Sequence, residues 1–160
     1  MRRMIFLLPL FLFGIISVYL SITLSRGPQL LESALINTPI SKFQLPPIKG
    51  RANQNRNWGL ETNDLMGKVS LVNIFGSWCS ACKVEHTFLM HLKKLQSVPI
   101  HGINWREENS DDGPNWLKKY GDPYTLVGDD PRSVAAIAFG VTKAPETFVV
   151  DKKGFIRYKH

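Results

Sequence analysis

"KVSLVNIFG", Lys68–Gly76, is a β-branched apolar run that passes without a break into "SWCSAC" and then into "KVEHTFLMHLKKLQSV". A run of that kind predicts a buried strand. In the segment behind it Val84, Phe88, Leu92 and Leu95 recur at spacings of four, four and three, which draws one apolar stripe along a helix. The two cysteines of the chain, Cys79 and Cys82, therefore sit at a strand-to-helix junction. Any fold this chain adopts must be built around that junction.

The elements downstream extend the pattern. "PIHGINW" (Pro99–Trp105) reads as a second short strand, followed by the polar loop "REENSDDG". Pro114 opens a short helix, "PNWLKKY", with Gly121 behind it. "YTLVGDD" is strand-like, and Asp130-Pro131 reads as a cap and first helical position for "RSVAAIAFG", which Gly140 stops. "ETFVVDKKGFIRYKH" reads as a hairpin around Lys152-Lys153-Gly154. Upstream, "FQLPPIKG" supplies a short strand ended by Pro46-Pro47, and "RANQNRNWGLETNDLMG" a polar, turn-rich loop with one short strand or turn. A strand–helix–strand unit implies a parallel pair with a right-handed crossover, and the hairpin extends that sheet antiparallel.

The N-terminus is a separate matter. Arg2 and Arg3 precede a run, Met4–Ser25, with no charged residue. As a helix that run would be roughly 33 Å long, enough for a bilayer core. It exceeds the apolar stretch of a cleavable signal, and Thr23-Leu24-Ser25 makes a poor cleavage site. Residues 1–25 are thus expected to form a signal-anchor, with a cleaved signal and a buried core helix as the alternatives. The two arginines would stay cytoplasmic, placing the remainder across the membrane. Residues 26–42 are expected to be a tether and residues 43–160 the folded domain. The 20 Lys+Arg against 13 Asp+Glu give a net charge of +7. These cations are scattered rather than striped among aromatics, so no nucleic-acid partner is expected.

Three roles are open to the cysteines. As a staple the pair is weak: closing a loop of about four residues contributes ~2 kcal/mol, against ~3 for fifteen. As a metal grip, Cys79, Cys82 and His86 fall on one helix face, and thiolate with imidazole suits zinc or copper. A structural zinc site wants four ligands, however, and there is no second cysteine pair. As a redox pair the context fits. A cysteine at a helix N-terminus meets unpaired N–H groups and the positive dipole end, which favour its thiolate. Cys79 holds that place, with Lys83 one turn on as a further cation, and Cys82 is placed to resolve a mixed disulfide.

Trp78-Cys79-Ser80-Ala81-Cys82 after an apolar strand resembles the thioredoxin-fold motif, and "GVTKAPETFVVDKKGFIRY" resembles that fold's second landmark, a proline opening the next strand. More narrowly, "LLESALINTPISKFQLP", "LVNIFGSWCSACKVEH", "NWLKKYGDPY" and "GVTKAPETFVVDKKGFIRYKH" are similar to the membrane-anchored cytochrome c biogenesis thiol:disulfide interchange proteins (CcmG/DsbE). The resemblance spans roughly residues 30–160 and implies a thioredoxin-like α/β fold, a central mixed sheet flanked by helices. It implies too that Cys79 attacks, Cys82 resolves, and Pro145 lies cis beside them. Asn73 stands where many thioredoxins carry a buried carboxylate, and by the same resemblance Glu85 takes over proton handling. The resemblance implies as well that Trp78 packs beside the disulfide and that Glu146 borders the partner groove. An exposed helix carboxylate for Glu85 and a solvated strand-end charge for Glu146 are the alternatives.

The resemblance further implies a protein-disulfide reductase that needs no cofactor. It would keep the haem-binding cysteines of apocytochrome c, or of another cytochrome c maturation thiol protein, reduced. Electrons would come from a transmembrane thiol donor, with the domain periplasmic on a bacterial inner membrane. A general thiol–disulfide exchanger and a metallochaperone using Cys79, Cys82 and His86 are the competing readings. Three departures from the family pattern stand out. Ser80 replaces a usual proline, Thr142-Lys143 replace an aromatic and a glycine, and the helix that normally closes the fold over one sheet face has no counterpart before His160.

Overall fold

The computed structural model describes residues 2–25, 35–51 and 56–160. They fall into two compact units, residues 1–31 and residues 32–160. In the first, α1 (Arg2–Ser25) is one helix with Pro9 inside it, and its side chains are described from 9 to 23. Among the described residues no helix is long and apolar enough to cross a membrane. Residues 26–34, the first part of the expected tether, lie outside the described residues.

The second unit has the thioredoxin-like α/β architecture. Its centre is a five-stranded mixed sheet of β3 (Ser70–Phe75), β4 (Ile100–Trp105), β5 (Leu126–Asp130), β6 (Glu146–Val150) and β7 (Ile156–Lys159). The order is β5-β4-β3-β6-β7. β3 runs parallel to β4 and β4 to β5, while β6 and β7 add antiparallel. Gly154 turns the β6–β7 hairpin at φ +79°, a left-handed backbone that glycine adopts without a Cβ clash. A small antiparallel pair, β1 (Gln44–Leu45) with β2 (Leu60–Glu61), leads into a 3₁₀ turn at Thr62–Leu65.

Strand alternation divides the core in two. Val72 and Ile74 of β3 point to one face with Ile103, Phe148 and Ile156, where Phe43, Leu45, Leu65 and Phe139 cover them. Residues 35–40 also belong to this face: Asn37 N–H donates to the Ile156 carbonyl at 2.7 Å, and Ile40 is buried. Phe75 points to the other face, against α2 (Ser80–Leu95) and α3 (Asp112–Tyr120) through Cys82, Leu89, Trp116 and Leu117.

Three local expectations change. α3 begins at Asp112, so Pro114 is its third residue rather than its first. α4 spans Val134–Ala138, so Pro131 precedes the helix rather than opening it. Asp130 still caps it, from further back: its buried carboxylate accepts from Val134 N–H at 2.6 Å and Ala136 N–H at 2.9 Å. The apolar stripe of α2 is the largest correction. Val84, Phe88, Leu92 and Leu95 are 66%, 66%, 37% and 68% exposed, and the helix packs instead through Cys82, His86 and Leu89. Glu85 lies between the two faces and sets the rotation by bonding to β3 and β6.

Candidate active site

β3 ends at Phe75 and α2 begins at Ser80, so Gly76–Cys79 make the whole turn. Gly76 is required by a close approach. A Cβ there would sit 2.5 Å from Trp78 Nε1, because the indole folds back over it. Trp78 Nε1–H donates to the Trp105 carbonyl at 3.0 Å, and the Trp78 and Trp105 rings meet at 6.0 Å. Trp105 is held in turn by Ser133, its Nε1–H donating to the hydroxyl at 2.9 Å. Half of Trp78 stays exposed beside the cysteines.

Cys79 is the N-cap of α2, and its sulfur accepts from Cys82 N–H at 3.1 Å. The dipole end and free N–H groups of the helix therefore face Cys79. Cys79 and Cys82 form a disulfide, with Cys79 6% and Cys82 2% exposed, so attack reaches the pair through a narrow opening. The Ala144–Pro145 peptide bond is cis, and Ala144 packs against the apolar cluster that contains both cysteines.

Behind Cys82 lies a polar network. Glu85 Oε2 accepts from Asn73 Nδ2 at 2.9 Å, and Glu85 Oε1 accepts from the Thr147 hydroxyl at 2.8 Å. Asn73 Nδ2 also reaches Thr147 Oγ1 at 2.9 Å, while its Oδ1 accepts from Tyr124 O–H at 2.7 Å. Burial, then the Glu85 charge, holds the Tyr124 hydroxyl well above the ordinary tyrosine range, so it stays a donor. Glu85 is thus wired into the core one turn past Cys82.

Other expected residues lie elsewhere. Glu146 is 1% exposed and does not border a groove. Its carboxylate pairs with Lys159 Nζ at 2.9 Å and accepts from the Thr142 hydroxyl at 2.6 Å and Thr142 N–H at 3.2 Å. A buried carboxylate needs such partners, and Thr142, in supplying two of them, closes the loop before Pro145. The Lys83 ammonium sits 4.8 Å over the Tyr120 ring, so it is engaged by α3. His86 is buried, with Nε2 3.0 Å from the Gly121 carbonyl and its ring edge-on to Trp116 at 4.3 Å. That contact makes Nε2 the protonated nitrogen, and desolvation lowers the His86 pKa despite the Gly121 bond. Cys79, Cys82 and His86 do not converge, and among the described residues no group of three His, Cys, Asp or Glu is placed to hold a metal ion.

One residue beside the cysteines escapes the motif altogether. Glu107 receives Ser77 N–H at 2.7 Å and the Ser77 hydroxyl at 2.6 Å. The signal for it was the parallel pairing itself. With Phe75 opposite Asn104, the residues just after β3 and just after β4 must emerge side by side.

Comparison with known proteins agrees with this geometry. The Redoxin family pattern matches residues 44–160. The thiol:disulfide interchange protein DsbE of Pseudomonas aeruginosa is 41% identical over 159 residues, 99% of this chain and 84% of the relative. The chain belongs to the DsbE family. DsbE of Escherichia coli K12 is 35% identical over 166 residues, covering 100% of this chain and 86% of the relative. Among solved structures, a DsbF homologue from Corynebacterium diphtheriae superposes with a TM-score of 0.62 at 23% identity, over 76% of each chain. A secreted Mycobacterium tuberculosis disulfide oxidoreductase homologous to E. coli DsbE gives 0.59 at 17% identity, over 71% of this chain and 79% of that one. These two establish the fold. Membership of the DsbE family, together with the Cys79–Cys82 pair at the helix head, makes the protein a thiol–disulfide oxidoreductase.

Proposed function

We propose that this DsbE protein is a membrane-anchored reductase that keeps the haem-attachment cysteines of apocytochrome c reduced. The observation that carries the reductive direction is the polar network behind Cys82, which keeps the Glu85 carboxylate one turn along α2 from that sulfur. A negative charge there opposes a second one on sulfur, so it destabilises the thiolate and with it the reduced pair, as a reductant requires. In the productive direction the Cys79 thiolate attacks one sulfur of the substrate disulfide and releases the other as thiolate. Cys82 then attacks Cys79 in the mixed disulfide and releases the second substrate thiol. Two electrons pass to the substrate, and the Cys79–Cys82 disulfide is the oxidised product. Trp78 and the turn at Ala144-Pro145 flank the opening where the partner chain would lie. Haem joins a Cys-x-x-Cys-His stretch and needs its thiols free, which fits such a partner.

The uncharged run Met4–Ser25, preceded by Arg2 and Arg3 in the sequence, supports an anchor with the domain on the periplasmic side of a bacterial inner membrane. A transmembrane thiol protein would restore the dithiol from that side. One experiment tests both parts. The Cys82→Ser variant, expressed with a c-type apocytochrome, should trap a mixed disulfide through Cys79, and the adduct should remain in membranes washed with alkaline carbonate. Trapping through Cys79→Ser instead would reverse the attacking order. Adducts only with unrelated proteins would make it a general exchanger, and an adduct in the carbonate wash would remove the anchor.

A further inference from the structure

Glu107 stands just after β4, and nothing in the exchange steps above uses it. Its neighbour Arg106 takes a left-handed backbone at φ +53°, an uncommon conformation for a residue with a Cβ, and this turn delivers Glu107 to the mouth of the cysteine loop. There its two oxygens receive the N–H and the hydroxyl of Ser77 at 2.7 and 2.6 Å. With the Trp78 indole on the Trp105 carbonyl, three hydrogen bonds tie residues 77–78 to residues 105–107. A neutral acceptor would brace the loop as well. What the carboxylate adds is a charge, and that charge is not cancelled: no ion pair to Glu107 occurs among the described residues.

Its surroundings reinforce the sign. The charged groups facing it are Asp112 in the first turn of α3 and Asp129 near the end of β5, both carboxylates. Arg106, the adjacent cation, turns its guanidinium over the Trp105 ring at 5.6 Å. Ser77 is two residues from Cys79, so at most about 7 Å of backbone separates them. The head of α2 favours the Cys79 thiolate; an anchored, half-buried anion this close opposes it.

We propose that Glu107 is a positioning residue of the exchange reaction, whose charge, held through Ser77, disfavours the Cys79 thiolate and makes the cysteine pair more reducing. The effect rests on the thiol–disulfide exchange activity and not on which protein is the substrate. A stabilised thiolate stabilises the reduced pair and makes an oxidant, so a charge that destabilises it works in the reductive direction. Burial raises the Glu107 pKa from the ordinary glutamate range, the two Ser77 bonds lower it, and Asp112 and Asp129 raise it further. The effect should therefore fade on acidification earlier than an exposed glutamate would allow.

The test compares Glu107→Gln and Ser77→Ala in the full chain. Glu107→Gln keeps an acceptor for Ser77 N–H but no charge, whereas Ser77→Ala keeps the charge and the backbone bond. Equilibration against glutathione should shift about threefold toward the dithiol in Glu107→Gln, the size expected of one unit charge at roughly 10 Å across a partly wet surface. In a Cys82→Ser background, alkylation of Cys79 against pH should show a lowered thiol pKa in the same variant. Ser77→Ala should leave both readings near wild type. Equal shifts in both variants would mean that geometry, not charge, is responsible, and would overturn the proposal. So would a Glu107→Gln protein that melts earlier with its equilibrium and thiol pKa unchanged. If Glu107→Gln does not fold, the wild-type glutathione equilibrium measured against pH decides. An acid-side inflection beyond that of the thiols supports the charge, and its absence rejects it.

Discussion

Each oxygen of Glu85 accepts one neutral donor, Nδ2 of Asn73 or the hydroxyl of Thr147, and no ion pair to it occurs among the described residues. Neutral donors leave the charge of this carboxylate uncompensated, one turn along α2 from Cys82. Glu146 is the contrasting case: bonded to Lys159 and enclosed, its charge is spent on holding a loop. Glu85→Gln should therefore change the pH profile of disulfide exchange and lower stability by about 1–2 kcal/mol, because the new amide faces one donor of the network. Stopped-flow exchange across pH, beside urea unfolding, separates the two effects. A stability loss with an unaltered profile would leave Glu85 a structural acceptor only.

At the scale of elements, α2 is fixed in rotation by what its ends must do. Its N-terminus has to present Cys79, and its middle has to bring Glu85 to Asn73 and Thr147. Once these are met, Leu89 and His86 enter the core beside Trp116, and Val84, Phe88 and Leu95 are turned outward. Leu89→Ala should cost about 2–5 kcal/mol, typical of a core truncation, whereas Phe88→Ala should cost under about 1 kcal/mol despite deleting the larger side chain. Denaturant midpoints of the two variants check this. A Phe88 loss equal to that of Leu89 would show that the outward stripe is covered in solution.

For the whole domain, the response to acid follows from a histidine remote from the disulfide. His101 on β4 is 4% exposed, on the face covered by Phe43 and Leu65, and burial lowers its pKa to about 4; Asp64 pulls it up and Arg56 pushes it further down. The folded protein thus binds this proton less readily than the unfolded chain. Stability is full above the unfolded value near 6.5 and is lost as pH falls toward 4, by about 3 kcal/mol in all. His86, also lowered, adds in the same direction. Glu107 and Asp129, both raised chiefly by burial, act oppositely: their contribution is present at low pH and lost as pH rises through their range. His101→Leu should flatten the acid limb of a urea-unfolding series between about pH 7 and 4 by most of that amount. An unchanged slope would place the proton uptake elsewhere.

The strand, the cysteine turn, the helix behind it, the mixed sheet and the hairpin were all legible in the chain, because each is announced by a periodicity or a motif a few residues long. Cys79 and Cys82 were legible for the same reason. Partnerships across the chain were not. Asn73 meets Thr147 across 74 residues, Glu85 meets Thr147 across 62, and Ser77 meets Glu107 across 30. A glutamate in a polar loop, one on a helix and one at a strand start look alike until packing decides which is desolvated and what faces it. Sequence set the local conformations and the reactive pair. Tertiary structure alone chose the buried face of α2 and gave each carboxylate its partner, because burial and charge pairing depend on distances that only the closed sheet creates.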